Sequence, residues 1–202
     1  MIGRDGVRWR LVAHAIVSRE GRICAADGTM PPCLIVPEDQ ARFRAALEGA
    51  ALTILGREGH ERHPRGTRRR LVLTSRVGGL EAEGDGVLLW NPAGAPLAGA
   101  SPAGAPLAGA SLADALARLA PRGGTAVVAG GTGVMTTLLP VTDAFELAVA
   151  HGCAIPGGRP CLTGADDVAA IETRLRDAGL VLGDMTELVE GVELRRFERG
   201  AA

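Results

Sequence analysis

The chain contains no lysine, so all 22 of its Lys+Arg residues are arginines. A P-loop, which places a lysine on the nucleotide phosphates, is excluded, as are Schiff-base chemistry and a lysine general base. Every strong cationic contact falls instead to guanidinium groups, which are permanently charged and suited to forked bonds with phosphate or carboxylate. Aromatic residues make up only 2% of the sequence, too few for the stacking platforms that bind single-stranded nucleic acid. The core must be aliphatic. A formal net charge of -1 also argues against non-specific nucleic-acid binding. No apolar run is long enough to span a bilayer, and Arg4, Asp5, Arg8 and Arg10 interrupt any apolar leader, so no membrane association and a cytoplasmic location are expected. Cys24, Cys33, Cys153 and Cys161 show no C-x-x-C spacing, and free thiols are expected rather than zinc or a disulfide framework. His60 and His63 sit among Arg57, Arg62, Arg65 and Arg68 to Arg70, which would repel a cation. A solvated basic loop is expected there, and no metal site.

What is present reads as one α/β domain over residues 1–202, with 47% hydrophobic and 22% charged residues. Short apolar runs alternate with amphipathic stretches, the pattern of a largely parallel sheet with crossover helices. Strands are predicted at Arg10 to Val17, Ala51 to Leu55, Leu71 to Thr74, Val87 to Trp90, Thr125 to Ala129, Phe145 to Ala150 and Val192 to Phe197. Helices are predicted at Pro37 to Leu47, Ser111 to Leu119, Gly133 to Leu139 and Asp166 to Ala178. Between the fourth strand and the next helix, Pro92 to Ser101 is repeated identically as Pro102 to Ser111, a Pro/Gly/Ala duplication that reads as a surface loop insertion at about 92–111.

The most pointed stretch is Ala-Gly-Gly-Thr-Gly-Val at 129 to 134, fed directly by the apolar run Thr125 to Ala129. A strand turning through glycines into a helix leaves backbone N–H groups open where the helix dipole favours a phosphate. The alternative is a tight turn whose glycines serve packing alone. Gly56-Arg57 and Thr74-Ser75-Arg76 also follow predicted strands, and ligands of open α/β sheets gather at the carboxyl ends of strands. Two arginines with Thr and Ser hydroxyls at that edge suit the extra phosphate that separates NADP from NAD. On the helix opened by Pro37, Asp39, Phe43 and Leu47 share one face while Glu38 sides with Arg42. Asp39 is thus expected in an apolar cleft beside Phe43, able to hold or relay a proton to a nitrogen heterocycle; its other role is to complement the dipole of the helix start.

Taken in order, Ala15-Ile16-Val17-Ser18-Arg19-Glu20-Gly21-Arg22-Ile23, Met30-Pro31, Pro37 to Phe43, Leu55-Gly56-Arg57, Arg70 to Ser75 and Val128 to Val134 resemble the dihydrofolate reductase superfamily. The resemblance implies a three-layer α/β fold with a mostly parallel central sheet flanked by helices. It also implies an NADPH-dependent oxidoreductase that reduces 7,8-dihydrofolate to tetrahydrofolate, hence a part in one-carbon metabolism. Asp39 would be the acid assisting protonation of the pterin. Phe43 would pack on its ring, Ile23 and Met30 would belong to the loop closing over the nicotinamide, and Arg68 would grip the glutamate carboxylate of the substrate. NADPH would be held by Gly56, Arg57, Thr74, Ser75, Arg76, Gly130, Gly131, Thr132, Gly133 and Val134. Pro32 stands where the family has a tryptophan, the segment to Pro37 is two residues longer, and Ala148 replaces a pterin-binding threonine. A second branch, the riboflavin-pathway pyrimidine reductases, is echoed by Ser18 to Ile23 and by Gly157-Gly158-Arg159-Pro160, implying a ribosylaminopyrimidine phosphate as the alternative substrate. A non-catalytic nucleotide-binding homologue is the third reading. In each the partner is a small molecule, and the chain is a monomer or homodimer.

Overall fold

In the computed structural model, which describes residues 6–63, 66–93 and 110–200, the apolar runs become neighbouring strands of one nine-stranded sheet. Its centre consists of β1 (Trp9–Ser18), β7 (Gly124–Val128), β3 (Leu52–Gly56), β4 (Arg70–Leu73) and β6 (Val87–Trp90), paired in that order and all parallel. Near-continuous runs such as Leu71-Val72-Leu73 suit this position, because strands covered on both faces have no solvent side to alternate with. Beyond β1 lies β8 (Ala144–Ala150), parallel to it. The antiparallel hairpin of β10 (Leu180–Val189) and β11 (Val192–Arg199) extends that edge, while β5 (Leu80–Ala82) closes the other. A small second sheet pairs β2 (Arg22–Cys24) with β9 (Arg159–Pro160).

Three helices, α3 (Leu112–Leu119), α4 (Thr132–Leu138) and α5 (Val168–Asp177), cover one face and bury the main core with Leu11, Ile54, Leu71, Trp90, Phe145 and Phe197. Local chemistry fixes their starts: Ser111 and Asp114 exchange bonds in a capping box on α3, and Asp167 accepts from the Ala170 N–H on α5. The opposite face carries α1 (Pro37–Gly49) and α2 (Arg57–Arg62) over two smaller apolar clusters, one around Leu34, Val36, Ala148 and Ile155, the other around Leu55, Val72 and Leu89.

The predicted strands and helices are all present, with ends displaced by a residue or two, and the α/β layering is as the sequence implies. Elements that escaped the sequence reading have no apolar period to announce them. Strands β2, β5 and β9 span three residues or fewer; α2 is wholly polar apart from a glycine; β10 is exposed along most of its length. Residues 94–109, which include most of the duplicated segment, lie outside the described residues, as do Arg4, Asp5 and Arg65.

Two expectations are corrected. Cys33 and Cys153 are joined by a disulfide across a Cα–Cα distance of 5.4 Å, while Cys24 and Cys161 remain thiols. The pairing is long-range, tying the turn before α1 to the turn after β8, so local spacing gave no sign of it. The basic loop is not uniformly solvated either: Arg70 is buried and donates to the His63 carbonyl at 3.0 Å and to His60 Nδ1 at 3.2 Å, pinning the end of α2.

Because the disulfide closes a loop of 120 residues, its reduction should remove about 5 kcal/mol of stability on chain-entropy grounds. Denaturant unfolding with and without a thiol reductant measures this. Cys33→Ser should match the reduced protein and lose nothing further on reduction; an unchanged midpoint in both cases would contradict it.

Candidate active site

Parallel pairing decides where the glycine and arginine turns go. Ile54 lies level with Val128, Gly56 with Leu73 and Ala13 with Val128, so the segments leaving β7, β3 and β4 emerge side by side at the carboxyl edge of the sheet. Gly130 and Gly131 take φ of 108° and 89°, conformations costly for any side-chain-bearing residue, and Gly131 caps α4. A Cβ on Gly131 would meet only Val134 Cγ2 at 3.9 Å, and one on Gly133 would meet nothing within 4 Å. Packing therefore does not demand glycine at 131; the bend does, and it leaves that backbone open to close approach.

Beside this bend, Gly56 leads into α2, and Arg57 at its first position bonds Glu61 at 2.7 Å. Arg76 reaches the same Glu61 oxygen at 3.9 Å, and its backbone N–H donates to Thr74 Oγ1 at 3.2 Å. Two arginines from different strand ends are thus brought to one point, with Ser75 exposed between Thr74 and Arg76. Thr132 and Val134 are engaged otherwise: the Thr132 hydroxyl donates to the Pro160 carbonyl at 2.5 Å, and the Val134 side chain is buried in the main core.

On the α1 face the sequence reading needs correction. Asp39 is buried, but its surroundings are ionic: Oδ1 accepts from Arg42 Nη2 at 2.6 Å, one turn along the helix. The other arm of Arg42, Nη1, donates to Glu146 Oε2 and, at 3.0 Å, to His14 Nδ1. Arg196 approaches Glu146 Oε1 at 3.4 Å. Residues at i and i+3 are helix neighbours, and a guanidinium this close to two carboxylates outweighs the apolar row implied by spacing alone. Phe43 does lie beside the group, its ring 5.7 Å from that of His14. Ala148 lies buried in the adjacent apolar cluster.

His14, Arg42, Glu146 and Arg196 were not among the candidates. The signal for His14 and Glu146 was an ionisable residue interrupting each of two apolar strands, Leu-Val-Ala-His-Ala-Ile-Val and Ala-Phe-Glu-Leu-Ala-Val-Ala, and the β1–β8 register sets His14 directly opposite Glu146. Burial pushes the His14 pKa down to about 4, with Glu146 opposing and Arg42 adding to the shift. Its imidazole is neutral at neutral pH, with Nδ1 3.0 Å from Arg42 Nη1 and 3.4 Å from Glu146 Oε2.

The remaining candidates flank these groups. Ile23, on β2, packs half-buried on the main core, whereas Met30 is 50% exposed. The intervening loop is held by polar bonds: Arg62 donates to the Asp27 and Gly28 carbonyls, and Arg159 to the Ala26 carbonyl and Glu58. Arg68 is exposed and lines a hollow of about 420 Å³ with Leu47, Glu48 and Thr67, at the far end of α1 from Asp39.

The His14 shift has a stability consequence. Between pH 4 and 6.5 the unfolded chain binds the proton that the folded chain refuses, so stability rises with pH through this window and falls on acidification. The loss should be on the order of 3 kcal/mol. Denaturant titrations at pH 7 and pH 4 measure it, and His14→Phe should flatten the difference; an equal slope in both proteins would remove His14 as its source.

No family model and no curated protein matches the chain. Solved structures do. Dihydrofolate reductase from Enterococcus faecalis, complexed with NADP(H), superposes with a TM-score of 0.62 at 20% identity, over 96% of this chain and 99% of that one. A diaminohydroxyphosphoribosylaminopyrimidine deaminase/5-amino-6-(5-phosphoribosylamino)uracil reductase from Thermotoga maritima gives 0.63 at 12% identity, over 96% of this chain and 57% of that one. These likenesses match the large central sheet flanked by helices described above. The chain has the dihydrofolate reductase-like fold, as its sequence motifs imply.

Proposed function

We propose that the chain is an NADPH-dependent reductase acting on a nitrogen heterocycle. The observation carrying this reading is the convergence of the turns after β3, β4 and β7 on one edge, with an open di-glycine bend and the arginine pair Arg57 and Arg76. These residues fit the cofactor. The open backbone at Gly130, Gly131 and Gly133 suits a diphosphate, and Gly56 lets the chain pass close by. Arg57, Arg76, Thr74 and Ser75 suit a 2′-phosphate, which would draw the arginines from Glu61. When bound, NADPH supplies the hydride delivered to a substrate C=N bond.

The protein supplies orientation, a cleft shielded from water and a proton path. For dihydrofolate, the leading substrate, support comes from α1, which sets Asp39, Phe43 and Leu47 in a row ending at the Arg68 hollow. Asp39 then assists protonation of the ring nitrogen after Arg42 turns aside. A ribosylaminopyrimidine phosphate is the second reading, favoured by the Asp39–Arg42 pair and by buried Ala148, which offers no hydroxyl to a pterin. It would place the chain in riboflavin biosynthesis.

Calorimetric titration should show NADPH binding more tightly than NADH. Arg57→Ala and Arg76→Ala should each cost NADPH about 10-fold, roughly 1.4 kcal/mol, and leave NADH unchanged. Equal affinities in the parent protein would contradict the 2′-phosphate assignment. With dihydrofolate present, Asp39→Asn should slow NADPH oxidation at neutral pH by about 10²-fold or more; equal rates would remove Asp39 from the mechanism. NADPH binding with no oxidation over either substrate would mark a non-catalytic nucleotide binder.

A further inference from the structure

The segment that leads into α1 is held to the rest of the molecule by few contacts. Every hydrogen bond described for residues 30–36 stays local: the Leu34 N–H donates to the Pro31 carbonyl, the Ile35 N–H to the Pro32 carbonyl, and the Val36 carbonyl accepts from the Gln40 N–H. Leu34 and Val36 bury their side chains beside Ala148, Cys153 and Ile155, while Met30 and Ile35 are half exposed. Apolar contact is non-directional, so it keeps this strap near the body without fixing its position. The Cys33–Cys153 bond is the fixing link. The helix that follows is lightly seated as well, since Asp39 is the one buried residue among the thirteen of α1.

The two ends of the bond differ. Cys153 is 2% exposed and its turn is bonded on both sides: its carbonyl accepts from the Arg19 N–H at 3.0 Å, and the Ile155 N–H donates to Glu20 Oε2 at 3.2 Å. Cys33 is exposed, on a single helical turn at Pro32–Leu34. A thiolate from solvent can therefore reach the Cys33 end, and the strap, not the turn, is the part that moves once the bond opens. We propose that Cys33–Cys153 is a thiol-exchange site at which an external dithiol unfastens the strap in the folded protein, loosening residues 30–36 and the first turn of α1 while the cofactor edge stays in place. One thiolate of the dithiol attacks Cys33 Sγ, the S–S bond breaks, and Cys153 leaves with the electron pair and takes up a proton. The second thiolate then attacks the dithiol's own sulfur in the mixed disulfide, closing a cyclic disulfide and expelling Cys33, which is protonated in turn. Two electrons and two protons pass from the dithiol to the protein. Cys153, held in its turn, stays placed to recapture Cys33 on reoxidation. The consequence for function rests on the reading that Asp39 and Phe43 serve a substrate ring: reduction displaces Asp39 and lowers turnover without weakening NADPH binding.

Dithiothreitol is the probe dithiol. The folded full chain treated with it, then alkylated and mapped by mass spectrometry, should pass from two free thiols to four while keeping the circular dichroism of the oxidised protein. Backbone order parameters from ¹⁵N relaxation should fall from about 0.85 to below about 0.6 at Cys33 to Val36, with Gly56 and Gly130 to Gly133 unchanged. NADPH affinity should stay within about 2-fold. Oxidation of NADPH over dihydrofolate should slow about 10-fold or more and recover on reoxidation. Cys33→Ser should behave as the reduced protein and ignore the dithiol, whereas Cys24→Ser, which leaves the bond in place, should respond as the parent does. The proposal is overturned if the bond opens only when the chain unfolds, if Cys33 to Val36 stays ordered, if the glycine bend loosens with it, or if reduced and oxidised protein turn over dihydrofolate equally. The two readings fail separately: no turnover in either state, with the strap loosened as expected, sinks the reductase and leaves the tether standing.

Discussion

The shared direction of β1, β7, β3 and β4 is the constraint on which the rest of the molecule depends. Apolar runs buried on both faces pair only where they displace water from one another, and the helices that return the chain to the same end keep the strands parallel. Once Val128 stands level with Ile54 and Gly56 with Leu73, the turns that follow have no freedom to separate. Gly130, Gly131, Arg57 and Arg76 lie far apart in sequence, yet the register alone makes them neighbours.

The two faces of the sheet carry different physics. Beneath α3, α4 and α5 the core is continuous and aliphatic, and it supplies rigidity. Beneath α1 the apolar cover is divided, and a knot of Asp39, Arg42, Glu146, His14 and Arg196 sits among its pieces. Buried charges persist only when paired and hydrogen-bonded, and Arg42 does most of the pairing by spanning helix and strand with its two arms. Removing it would leave two carboxylates facing each other in a poorly solvated place.

Legibility in the sequence followed the range of the interaction. Runs such as Leu71-Val72-Leu73 and Val87 to Trp90 announced themselves because burial acts on consecutive residues, and the glycine bend because its backbone requirement is local. The row of motifs from Ala15 to Val134 carried the fold. The ionic surroundings of Asp39 did not show in the sequence, since spacing set Arg42 with Glu38 and the partners of Arg42 on β1 and β8 lie 28 and 104 residues away from it. The Cys33–Cys153 bond failed to show for the same reason. Arg70 looked like one of three solvated arginines, and only the folded loop gives it the His60 and His63 acceptors that bury it.

If the carboxyl edge of the parallel strands is the ligand edge, the cofactor must leave its mark there and nowhere else. Amide hydrogen exchange with and without NADPH measures this directly. Protection should appear at Gly56–Arg57, Thr74–Arg76 and Gly130–Gly133, and be absent at the opposite strand ends around Arg8–Arg10 and Gly123–Thr125. Protection confined to those opposite ends, or none at the three turns, would contradict the assignment.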